Sequence, residues 1–108
     1  MRYNVELSPN FVKEAKRLTK KFPSLKSELA QLFTTLEENP TFGTPLGNDI
    51  FKIRLSVASK NRGKSGGVRV LSFAKVTQTD VLLFSIYSKG DVDHITDRRI
   101  KQLVRDYI

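Results

Sequence analysis

The residues of this chain best suited to chemistry are cations, and they are crowded. Between positions 48 and 75 stand Lys52, Arg54, Lys60, Arg62, Lys64, Arg69 and Lys75, against Asp49 alone. That stretch carries a net +6 of the +8 on all 108 residues. Lys60, Arg62 and Lys64 share the segment ASKNRGKSGG with Gly63, Gly66 and Gly67. Glycine lets backbone N–H groups approach an anion closely, and neighbouring basic side chains add charge. The pattern therefore favours an anion-binding loop. A lysine-rich sheet edge that discourages edge pairing accounts for Lys52 and Lys75. It does not account for cations and glycines interleaved between 60 and 67. Gly63-Lys64-Ser65 matches the end of a nucleotide-binding P-loop, but Ala58 stands where the first glycine of that loop is required. A P-loop also leads into a helix, and here a strand pattern follows.

Other site chemistries fall away. There is no cysteine, so there is no disulfide framework and no thiolate metal site. His94 is the one histidine, too few for a histidine pair or a His-based zinc centre. It lies just before the last helical pattern, where a capping or surface role suits it. No metal and no small-molecule cofactor is expected.

The elements that must position these side chains read as follows. Tyr3, Val5 and Leu7 alternate with Arg2, Asn4 and Glu6, which predicts a short strand. Ser8-Pro9 then reads as an N-cap and first helical residue. Phe11, Ala15, Leu18 and Phe22 continue a helix over roughly 9–21. Pro23-Ser24 breaks and restarts it. Leu25, Leu29, Leu32, Phe33 and Leu36 make the cleanest amphipathic pattern of the chain. Asn39-Pro40 ends that helix, because a residue before proline is pushed out of the α region. Residues 40–48, PTFGTPLGN, read as a loop by composition.

Phe51, Ile53, Leu55 and Val57 then alternate with Lys52, Arg54 and Ser56, a strand with a basic outer face. GVRVLSFAKV and DVLLFSIYSK are two further strands, expected to form an antiparallel hairpin. Arg69 shares a face with Leu71 and Phe73. Tyr87 shares its alternation with Val81 and Leu83, so its ring is placed to pack in the core with the hydroxyl at the rim. Ile100, Leu103, Val104 and Tyr107 mark a last helix, capped by Thr96 or Asp93.

The expected fold is α+β, in the order β-α-α-β-β-β-α. An antiparallel sheet carries an N-terminal α-hairpin on one face, with a C-terminal helix. Hydrophobic residues at 39% and charged residues at 28% fit a globular chain, and the length fits one domain over 1–108. No apolar run approaches the ~20 residues of a membrane helix, and the N-terminus has no signal-peptide core. The chain is expected to be cytoplasmic. A pI near 10.0 favours a polyanionic partner, nucleic acid foremost.

Residues 51–73 and 82–96 resemble the HigB branch of the RelE/ParE toxin superfamily. The likeness rests on Lys52-Ile53-Arg54, on Gly63-Lys64-Ser65-Gly66-Gly67-Val68-Arg69 and on Ile86-Tyr87-Ser88-Lys89. The element order agrees with it. The resemblance implies a RelE-like toxin of a type II toxin–antitoxin pair. Such a toxin cuts messenger RNA in the ribosomal A site, without a metal, and is held inactive by a cognate antitoxin protein. The implied partners are the antitoxin, the ribosome and mRNA, with no membrane.

Metal-free RNA cleavage must deprotonate and align the 2′-hydroxyl, stabilise the phosphorane and protonate the 5′-oxygen. RelE-like enzymes manage this with arginine, lysine and often tyrosine. On that reading Arg69 clamps the phosphate with its planar fork. Lys64 stabilises the transition state, with Lys60 as a second candidate. One lysine, its pKa lowered by neighbouring cations, serves as base. Tyr87 and Lys89 meet the same site, Tyr87 stacking on a base or donating a proton. Lys52, Arg54, Lys60 and Arg62 steer and hold RNA. Other toxins of this superfamily place a catalytic Arg, Tyr or His near the C-terminal helix, where this chain offers His94, Arg98, Arg99 and Tyr107. Two other readings share the fold: a ParE-like toxin that poisons DNA gyrase without cutting RNA, and a degenerate toxin acting only as a DNA co-repressor.

Overall fold

Strand alternation and helical spacing lead to eight elements in a computed structural model, which describes residues 3–58, 67–74, 79–88 and 95–105. They are β1 (Asn4–Leu7), α1 (Pro9–Lys21), α2 (Leu25–Glu38), β2 (Thr44–Gly47), β3 (Ile50–Leu55), β4 (Val68–Phe73), β5 (Asp80–Ser88) and α3 (Asp97–Val104). The strands form one sheet in the order β1-β5-β4-β3-β2.

Local chemistry explains the helix ends. The Ser8 hydroxyl accepts from the Phe11 N–H at 3.1 Å, and Pro9 takes the first turn, where its missing N–H costs nothing. Thr96 caps α3 in the same way, accepting from the Arg99 N–H at 3.1 Å. The α2 helix stops before Pro40, as the sequence predicts.

The sheet differs from the expectation in two respects. It is mixed, because β1 pairs with β5 in parallel, while the other three pairings are antiparallel. Residues 44–47, within the stretch predicted as loop, form a fifth strand at the free edge. Asn48 and Asp49 both adopt positive φ, 55° and 64°, the conformation that a tight two-residue hairpin turn requires. Pro45 is tolerated because an edge strand leaves one row of backbone groups unpaired. All four residues of β2 are exposed, so no hydrophobic alternation marks the strand.

The sheet buries both faces. On one, α1 and α2 supply Phe11, Leu18, Leu25, Leu29, Leu32 and Leu36 against Ile53, Val68, Val70, Val81, Leu83 and Ile86. On the other, Ile100 and Val104 of α3 pack with Ile50, Leu71, Phe73, Phe84 and Tyr87. Burial of apolar area on both sides, worth about 25 cal/mol per Å², holds three helices on one sheet. No described helix is long and apolar enough to cross a membrane.

Candidate functional site

The cross-strand register sets the candidate site. Arg54 of β3 lies opposite Arg69 of β4, and Arg69 lies opposite Tyr87 of β5. Directly opposed residues in an antiparallel pair project to the same face, with Cβ atoms about 4.5–5.5 Å apart. Three side chains from three strands thus form one row on the α3 side of the sheet. Lys52 extends the basic surface one step along β3, opposite Leu71. Arg69 and Lys52 are half-buried and Arg54 is exposed. Leu71 and Phe73 share the face of Arg69, as alternation predicts.

Tyr87 does not follow its alternation. Pairing runs regularly from Val68↔Ser88 to Leu71↔Ser85, then shifts to Ser72↔Leu83. Phe84 is the extra residue, a β-bulge on β5. The slip inverts the phase: Val81, Leu83 and Ile86 face α1 and α2, whereas Phe84 and Tyr87 face α3. Tyr87 therefore parts from Val81 and Leu83 and joins Arg69. Tyr87 is 6% exposed and packs in the α3-side core.

Burial pushes the Tyr87 phenol above its ordinary value of 10.0, and the Arg69 guanidinium pulls it partly back. The phenol is therefore protonated at neutral pH, a hydrogen-bond and proton donor. Arg69 Nη1 also approaches its neighbour's carbonyl oxygen, that of Val68, at 3.5 Å. Like charges placed opposite one another on a sheet are destabilising. Arg54 and Arg69 thus bring two like charges to one face of the sheet.

Gly67 opens β4 at the end of the sheet where this row lies. Its φ is +76°, and a Cβ there would run into the Leu55 carbonyl oxygen. Only glycine meets both demands. Leu55, Val68 and Ser88 lie side by side at that end. The loop cations Lys60, Arg62 and Lys64, and Lys89 after β5, lie outside the described residues, as do Lys75, His94 and Tyr107. Among their described flanks, Gly67 and Ser88 stand at this sheet end. The Ala58 N–H is tied down by Glu28 Oε2 of α2 at 2.8 Å.

A second basic surface was not singled out by the sequence. Arg98, Lys101, Gln102 and Arg105 line an open concavity of about 480 Å³ on α3. Their spacing of three, four and seven residues is the signal that marks one helical face. Among the described residues, no cluster of His, Asp and Glu is placed to hold a metal ion.

No protein-family model matches the chain, and no curated protein matches it significantly. A solved structure does. It is a mutant of the E. coli toxin RelE in the free state, similar over 100% of both chains with a TM-score of 0.65. This chain has the RelE fold. Sequence identity to that structure is 16%, so the likeness is one of architecture.

Proposed function

We propose that this chain is the toxin of a type II toxin–antitoxin pair, a ribosome-dependent endoribonuclease of the HigB type that cuts messenger RNA without a metal. The observation that carries the reading is the row Arg54–Arg69–Tyr87 on the sheet of a RelE fold. Two opposed arginines favour a phosphate between them, and a protonated phenol stands next in the row.

In the reaction, the 2′-oxygen of the substrate ribose attacks the adjacent phosphorus and the bond to the 5′-oxygen breaks. A cyclic phosphate and a free 5′-hydroxyl result. Arg69 holds nonbridging oxygens and offsets the charge that develops on them. Tyr87 donates to the reacting phosphate or to the departing 5′-oxygen. The 2′-proton passes to a lysine, with Lys64 and Lys89 the candidates and Lys60 behind them. Arg54, Lys52 and Arg62 hold the RNA backbone. A cognate antitoxin keeps the protein inactive in the cytoplasm.

The test is induced expression in translating cells followed by mapping of transcript ends. Cuts in translated messages, in step with codons, are expected, and Arg69→Ala and Lys64→Ala are expected to abolish them along with growth arrest. If both variants fold and remain fully toxic, the site is elsewhere. Intact messages together with inhibited gyrase would replace this reading with gyrase poisoning.

A further inference from the structure

The β5 bulge lies at a place where β5 has lost a neighbour. β1 pairs with β5 as far as Leu7↔Leu83, and the chain then turns into α1 at Ser8. From Phe84 onward, side chains of α1 take over that edge. The Ser8 N–H donates to the Leu83 carbonyl at 3.0 Å. Asn10 Nδ2 donates to the Phe84 carbonyl at 2.9 Å, and the Ser8 hydroxyl approaches the same oxygen at 3.4 Å. Glu14 Oε1 accepts from the Ile86 N–H at 3.1 Å and from the Ser85 hydroxyl at 3.0 Å. Asn10 Nδ2 also donates to Glu14 Oε1, at 3.0 Å. Asn10 and Glu14 are one helical turn apart, so both reach β5 from a single face of α1.

We infer that Asn10 and Glu14 are positioning residues, which hold the bulge of β5 and thereby place Tyr87 in the row with Arg69. The functional weight of this inference rests on the reading of that row as the RNA site. Side chains and N–H groups both alternate along a strand with a period of two, so a slip of one residue inverts both. Without the bulge, Ile86 would face Arg69 and Tyr87 would face α1 and α2. The Ile86 N–H would also turn away from Glu14. The carboxylate thus accepts bonds available in one register and lost in the other. A bulge leaves backbone groups outside the ladder, and buried groups left unpaired are costly. Asn10 and Glu14 pair with the β5 edge groups that lie at the bulge, beyond the end of β1.

Two measurements on the purified chain test the placement. Ile86 amide exchange is expected to be slow in the wild type, because Glu14 covers an edge with no strand beside it. Exchange at the rate of an open amide would overturn the inference. Glu14→Leu is expected to shift the titration of the Tyr87 phenol, followed by NMR of ring-labelled tyrosine and assigned against Tyr87→Phe. Glu14→Gln keeps an acceptor oxygen and is expected to restore most of the wild-type behaviour. A folded Glu14→Leu with an unchanged Tyr87 titration would also overturn it. If Glu14→Leu does not fold, Ile86 exchange in Glu14→Gln and the wild type decides.

The catalytic consequence is a separate arm. Single-turnover cleavage on ribosomes should fall about 100-fold in Glu14→Leu, the scale of a misplaced reacting group, with ribosome affinity unchanged. If Tyr87→Phe cleaves normally, the role given to Tyr87 in the reaction fails. The clamp is then judged by exchange and titration alone.

Discussion

At the residue scale, Tyr87 combines a packing role with a chemical one, and Tyr87→Phe separates them. The phenylalanine ring fills the same space, so a stability change within about 1 kcal/mol is expected by denaturant titration. Cleavage is expected to drop sharply. The phenol also makes stability depend on pH, with a definite sign. Its pKa is higher folded than unfolded, so the folded state holds the proton more tightly. That stabilisation is fully present below pH 10 and is lost as pH rises through the folded-state pKa. Unfolding midpoints measured from pH 9 upward should fall less steeply in Tyr87→Phe than in the wild type. Arg69 was legible in the sequence as a cation on the face of Leu71 and Phe73. Tyr87 was expected at the same site from the family resemblance, although its alternation pointed to the other face, and Arg54 was read as a cation on the basic face of its strand without its place opposite Arg69. Which residues oppose it depends on how three strands are registered, and registration is a property of pairs of segments.

At the element scale, the lesson lies in β5 and β2. Strict alternation groups Tyr87 with Val81 and Leu83, yet one inserted residue at Phe84 separates them. Nothing in LLFSIYS marks the insertion, because the residues on both sides are apolar and suit either face. The signal lay in the i, i+4 pair Asn10 and Glu14 on the polar side of α1, 74 and 72 residues from the groups they bond. Strand β2 was missed for the opposite reason: it is exposed throughout and rich in turn formers, so pattern and composition both argue for a loop. Gly67 supplies the test at this scale. A residue with a Cβ would be strained at its positive φ and blocked by Leu55. Gly67→Ala should therefore cost about 1–3 kcal/mol, read as a lower thermal midpoint. It should also weaken activity by displacing the start of β4, which carries Arg69. By contrast, the helices were legible almost to the residue, since Ser8, Pro9, Thr96 and Pro40 act on their own neighbours.

At the scale of the whole molecule, net charge resolves into separate surfaces. The strand row and the outer stripe of α3 are both basic. If they bind one RNA backbone, affinity must fall steeply with salt through counterion release. Removal of one phosphate contact reduces the slope of log K against log salt by about 1. Arg54→Ala and Lys101→Ala are each expected to do so in binding titrations on RNA. An unchanged slope for Lys101→Ala would restrict the RNA surface to the sheet. The sequence by itself determined the helices, three central strands, the basic face of β3 and the excess of cations between 48 and 75. Those features follow from periodicity, capping and charge, which act over a few residues. Tertiary structure alone decided that β1 lies parallel to β5, that β2 closes the far edge, and that one extra residue in β5 turns Tyr87 to the face of Arg69. Each of these depends on contacts between segments far apart in the chain, whose energies no local pattern records.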